Sequence, residues 1–102
     1  MSIEFSATAE MDLSDASVAK ITHYITAHLN YQVVRDLQRD FGFGPIPDER
    51  TAQVLETITL SMQPKQVYVA FHAATRTERE TFLSCVIDAL AQEGIVCKFE
   101  EL

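Results

Sequence analysis

His23 and His28 are the closest pair of histidines in the chain. On a helix, a spacing of five places two side chains about 140° apart, so this pair cannot close on one metal ion as an i, i+4 pair does. Cys85, Cys97 and His72 lie far from both, and no metal-ligand spacing is present. Each cysteine falls on an apolar pattern, Cys85 at the rim of a helical stripe beside Ala89 and Cys97 on a strand face with Ile95 and Phe99. Thiols in such surroundings are inert rather than nucleophilic. Ser61 and Ser84 sit in no nucleophile-elbow pattern. The sequence therefore assigns no catalytic residue, no metal ligand and no cofactor, and a non-enzymatic role is expected.

Three other groupings point to recognition. Tyr24, His28, Tyr31 and Arg35 share one helical face if a helix runs that far. Tyrosine and arginine are enriched at binding hot spots. The stretch from Asp36 to Arg50 sets Asp36, Asp40, Asp48 and Glu49 around a Phe41-Gly42-Phe43-Gly44 hinge. Its Gly-x-Gly lacks a third glycine, follows no strand and runs into Pro45, so it is no phosphate-binding fingerprint. It reads instead as a loop displaying an aromatic ring between carboxylates, suited to a basic protein surface. The expected partner-binding set is Tyr31, Asp36, Asp40, Phe43, Asp48 and Glu49. An alternative reading places a small anion or ligand at His72, Arg76 and Thr77, where a strand meets a helix N-terminus. That would make the chain a ligand-binding or regulatory domain, dimeric by expectation.

Fifteen acidic side chains against eight basic ones give a net charge of −7. Binding nucleic acid or an anionic membrane needs a basic stripe. Here the cations are scattered and mostly flanked by acids, as in Arg35-Asp36, Arg39-Asp40 and Glu78-Arg79-Glu80. Nucleic acid and membrane are excluded as expected partners, and a basic protein is favoured. The longest strongly apolar run, Val67 to Phe71, is far short of a bilayer span. With no signal-like segment after Met1 and two unpaired-looking cysteines, a cytoplasmic location is expected.

The 102 residues suit one domain over residues 1–102. Ile3 to Thr8 alternates with period two and predicts a half-buried strand. Asp12, Ser14 and Asp15 are N-cap candidates for a helix striped by Val18, Ile21, Ile25 and Leu29. The stripe rotates near Asn30, which predicts a break and a second helix from about Gln32 to Phe41, stopped by Gly42. Asp48 caps a third helix whose face is Thr51, Val54, Leu55, Ile58 and Met62, with Pro64 at its end. Gln66 to Ala73 alternates strictly and predicts a strand. Thr77-x-x-Glu80 reads as a capping box opening a helix over 77–93, closed by Gly94. Ile95 to Phe99 is the last strand.

The expected fold is α+β in the order β-α-α-α-β-α-β, with a small three-stranded, partly parallel sheet packed with helices. The final strand-helix-strand predicts a right-handed crossover between parallel strands. Open edges on so small a sheet invite a homodimer. In element order, size and acidity the chain resembles the barstar-like ribonuclease inhibitors, although their Tyr-Gly-x-Asn helix start is absent. The resemblance implies a small acidic inhibitor, immunity or antitoxin protein that plugs a basic site.

Overall fold

Alternation of apolar and polar or small residues builds strands over Asp40–Pro45 and Ile58–Gln63 as well as over Ile3–Thr8 and Gln66–Phe71. The computed structural model describes residues 2–46 and 55–102. Its elements are β1 (Ile3–Thr8), α1 (Asp15–His28), β2 (Tyr31–Leu37), β3 (Asp40–Pro45), β4 (Ile58–Gln63), β5 (Gln66–Phe71), α2 (Arg76–Gln92) and β6 (Glu100–Glu101). The strands form one sheet in the order β2-β3-β4-β5-β1-β6, with every pairing antiparallel.

This corrects the expected three-stranded, partly parallel sheet. The second expected helix, 32–41, is β2, a turn at Gln38-Arg39, and the start of β3. The C-terminal part of the third expected helix is β4, and Pro64 occupies the β4–β5 turn instead of ending a helix. Asp48, Thr51 and Val54 lie outside the described residues. The expected parallel pair fails for a topological reason. β1 lies between β5 and β6 and pairs antiparallel with both, so those two strands share a direction without touching. The topological part of the likeness to barstar-like inhibitors goes with it, leaving size and charge.

The register stacks the core in rows. Phe43, Ile58, Phe71 and Ile3 lie side by side across four strands, then Phe41, Leu60, Val69 and Phe5, then Met62, Val67 and Ala7 across three. On this face pack Val18, Ile21 and Ile25 of α1 with Phe82, Val86 and Leu90 of α2, giving one buried cluster. Burying these side chains stabilises the fold by about 1.5–3 kcal/mol each before entropy is counted. Phe82 is the hub. Its ring meets Tyr31, Phe43 and Phe71 edge to face at 5.8, 5.6 and 5.8 Å. No buried polar or charged residue interrupts this core among the described residues.

Helix ends are set by local chemistry. Ser14 caps α1 by accepting the Ser17 amide at 3.1 Å. The capping box of α2 is Thr75 with Glu78, two residues before the expected Thr77 and Glu80. Gly94 follows the last turn at φ 77°, a conformation glycine adopts at little cost. Ile95, Cys97 and Phe99 do pack on the core, but the last ladder forms only at Glu100 and Glu101. No helix among the described residues is long and apolar enough to cross a membrane.

Candidate functional site

Among the described residues the outer face of the sheet carries no helix, and its rows are polar or small: Gly42, Thr59, Ala70 and Glu4 in one, Asp40, Ser61, Tyr68 and Ser6 in the next. The Phe-Gly-Phe-Gly run explains the arrangement. Its two phenylalanines enter the core, and its glycines leave the outer face bare. The Glu56 side chain lies over Gly42, and the Leu55 carbonyl lies over Gly44.

From Glu56 a chain of hydrogen bonds crosses the sheet. Arg35 grips the carboxylate with Nε at 2.8 Å and Nη2 at 3.1 Å, and its Nη1 stands 3.3 Å from Asp40 Oδ1. Thr59 donates to Glu56 Oε2 at 2.7 Å. With that proton committed, His72 Nε2–H donates to Thr59 Oγ1 at 2.8 Å, and His72 Nδ1 accepts the Ser2 hydroxyl at 2.7 Å. The Arg35 fork, helped by Thr59, holds the Glu56 carboxyl down at about 2, and the guanidinium of Arg35 is raised in return. Ser2, His72, Thr59 and Glu56 thus line up as hydroxyl, imidazole, hydroxyl and carboxylate. The threonine stands between the imidazole and the carboxylate, so Glu56 reaches His72 only through the Thr59 hydroxyl. The group works as a latch that pins the chain after residue 54 onto the sheet.

The helix side is different. A cleft of about 760 Å³ opens between α1 and the β2–β3 hairpin, with Val18, Ala19 and Phe41 as its apolar lining and Asp15, Asp36 and Arg39 among its polar lining. Arg39 is anchored by both terminal nitrogens. It donates to Leu13 O at 2.7 Å, Met62 O at 3.0 Å and Asp15 Oδ1 at 3.0 Å. Asp36 is exposed and meets no cation among the described residues. The hairpin turn is held by Gln38 at φ 60°, an uncommon backbone conformation for a side chain of this type. Shallower clefts of about 500 and 410 Å³ follow the seam between the helices, where Tyr24 and His28 stack with ring centroids 4.0 Å apart.

These positions separate the residues singled out from sequence. Phe43 is fully buried in the core, and the segment around it is a strand, not a display loop. Tyr31 is half-buried on the helix face of β2, with its hydroxyl 3.5 Å from Glu78; burial first, then the Glu78 charge, push its phenol upward. Asp40 lies on the opposite face beside Arg35, and Asp36 is at the cleft. Asp48 and Glu49 lie outside the described residues. Tyr24 and His28 stay together on α1, while Tyr31 and Arg35 have moved to a strand and to opposite faces of it.

The expected anion site is filled from within. Glu78 accepts the Thr75 amide at 3.0 Å and occupies the start of α2, and Arg76 pairs with Glu80 at 3.1 Å. His72 engages Thr59 on the outer face, away from Thr77. Burial pushes the Cys85 thiol up to about 11 and raises Cys97 as well. No three His, Cys, Asp or Glu side chains gather as metal ligands among the described residues.

Glu56, Thr59 and Arg39 were not singled out from sequence. The alternation Ile58-Thr59-Leu60-Ser61-Met62 carried the signal for Thr59, since a strand there turns it away from the core. Comparison with protein-family models, curated proteins and solved structures finds no match.

Proposed function

We propose that this chain is a small acidic protein-binding module without catalytic activity of its own, of the inhibitor, immunity or antitoxin kind, and that it acts on a basic protein partner in the cytoplasm. The observation that carries this reading is where the uncompensated charge lies. Arg35, Arg39, Lys65 and Arg76 are each within 4.0 Å of a carboxylate, and Lys20, Arg79 and Lys98 are the cations among the described residues that are not. Glu10, Asp36, Asp88, Glu100 and Glu101 are exposed and have no cation at that distance among the described residues. Free carboxylates over a rigid sheet and two helices suppress binding to acidic surfaces and steer basic ones.

Affinity capture of the tagged protein from its host, at low and at high salt with mass spectrometry of the eluate, tests the reading. A stoichiometric basic protein retained at low salt and lost at high salt is expected. Charge reversal by Asp36→Lys should then slow association with that protein. Capture of nothing but copies of the chain, or association indifferent to salt, overturns the proposal.

A further inference from the structure

The cleft between α1 and the β2–β3 hairpin is open for reasons that can be named. The hairpin ends in a tight turn at Gln38-Arg39, and its last core residue on this side is Phe41, which is nearly buried. Opposite it, α1 presents Ala19, a side chain too small to close the gap, next to the buried Val18. Arg39 is the cation best placed to fill the space. It is held by two backbone carbonyls and Asp15, and that geometry keeps it along the wall.

The two carboxylates at this cleft consequently differ. Asp15 is spent on Arg39. Asp36 comes from β2 on the same sheet face as Phe41, its cross-strand neighbour, and has no cation of its own among the described residues. The cleft sets an apolar strip of Val18, Ala19 and Phe41 among polar neighbours that include Thr22, His23 and Gln38, and this strip beside the free Asp36 carboxylate matches a side chain with a methylene stem and a cationic head. An anion would meet Asp36 unfavourably, and a neutral apolar group would strip water from it without return.

We infer that this cleft receives an arginine or lysine side chain of the basic partner, its stem along Val18, Ala19 and Phe41 and its charge on Asp36. The inference rests on the acidic-module reading above and gives it a location.

The test is a titration of the full-length ¹⁵N-labelled chain with a hexa-arginine peptide at low salt, followed by amide shifts, with the neutral hexa-citrulline peptide as control. The arginine peptide should move the amides of Ala19, His23, Asp36 and Gln38, and the citrulline peptide should leave them in place. Asp36→Asn should weaken binding about three- to tenfold, the range between an exposed ion pair and a charge-assisted hydrogen bond. Ala19→Phe, at an exposed helix position, fills the trough without touching charge or core and should weaken it to a similar degree. Shifts clustered elsewhere, an unchanged affinity in Asp36→Asn, or equal binding of citrulline overturns the cleft while leaving the acidic-module reading in place. No binding of hexa-arginine at low salt overturns both.

Discussion

The Glu56 carboxylate occupies the space that Gly42 leaves on the outer face of the sheet. A Cβ at residue 42 would collide with its Oε1, and one at residue 44 would collide with the carbonyl oxygen of Leu55. The two glycines therefore differ in what must yield. Gly42→Ala displaces a side chain and breaks the Arg35 fork, for a cost of about 1–3 kcal/mol in urea unfolding. Gly44→Ala must move backbone and should cost more. Adding Glu56→Ala to Gly42→Ala should give a loss smaller than the sum of the two single losses, since the clash is gone. Simple additivity would show that residues 42 and 56 do not meet.

The same fork makes stability depend on acid. Glu56 titrates at about 2 in the folded chain against an ordinary 4.5. A depressed carboxyl stabilises the fold above its unfolded value, so this contribution is complete above about pH 4.5 and is lost as pH falls toward 2. Both partners are partly exposed, at 31% and 27%, which limits the effect to about 1 kcal/mol. Wild type should exceed Glu56→Gln in urea midpoint at pH 7, and the gap should shrink between pH 4.5 and pH 2. A gap that stays constant across that window would remove Glu56 as its source.

The latch and the meander that carries it show where sequence and structure part. β5 and α1 were legible because each has a single consistent period. β4 was not, because Ile58 and Met62 are four apart, a spacing in phase with both a strand and a helix, and the upstream Thr51, Val54 and Leu55 tipped the pattern toward the helix. β2 hides its period differently. The register slips between Val33 and Arg35, so Tyr31 and Val33 share the helix-side face with Asp36 while Arg35 faces outward. Alternation broken in mid-strand left Val34, Leu37 and Phe41 at helical spacing by accident. Phe41-Gly42-Phe43-Gly44 was read as a helix stop because glycine usually punctuates, whereas here it clears one face of a strand. The cleft was legible only in Asp36, since its other wall comes from α1, and no local pattern states which helix face a distant hairpin will meet.

The cap of α2 separates two threonines. Thr75 accepts the Glu78 amide at 3.2 Å and Glu78 returns the bond to the Thr75 amide at 3.0 Å, while Thr77 lies inside the first turn. Thr75→Ala should cost about 1 kcal/mol, within the usual range for an N-cap hydroxyl. Thr77→Ala should be near neutral or slightly stabilising, because alanine is the better helix former. Thermal unfolding of the two variants decides the matter, and a larger loss at Thr77 would return the helix start to the position suggested by Thr77-x-x-Glu80.

Phe82 ties Tyr31 to the core, and its removal should register there. The ring of Phe82 is fully buried and supports Tyr31, Phe43 and Phe71 together. Phe82→Ala should cost about 3–5 kcal/mol, a large share of what a domain of this size has. Phe82→Leu keeps most of the volume and should leave a folded chain, but it withdraws the edge contact that covers Tyr31. Burial is the foremost cause of the raised Tyr31 phenol, ahead of Glu78. Titration of the assigned Tyr31 ring resonances by NMR should therefore show Phe82→Leu bringing Tyr31 back toward 10, the ordinary value. Glu78→Gln should lower it by less, with the phenol still raised. An unchanged Tyr31 in Phe82→Leu, alongside a full return in Glu78→Gln, would make the charge on α2 the governing influence and detach Tyr31 from the core.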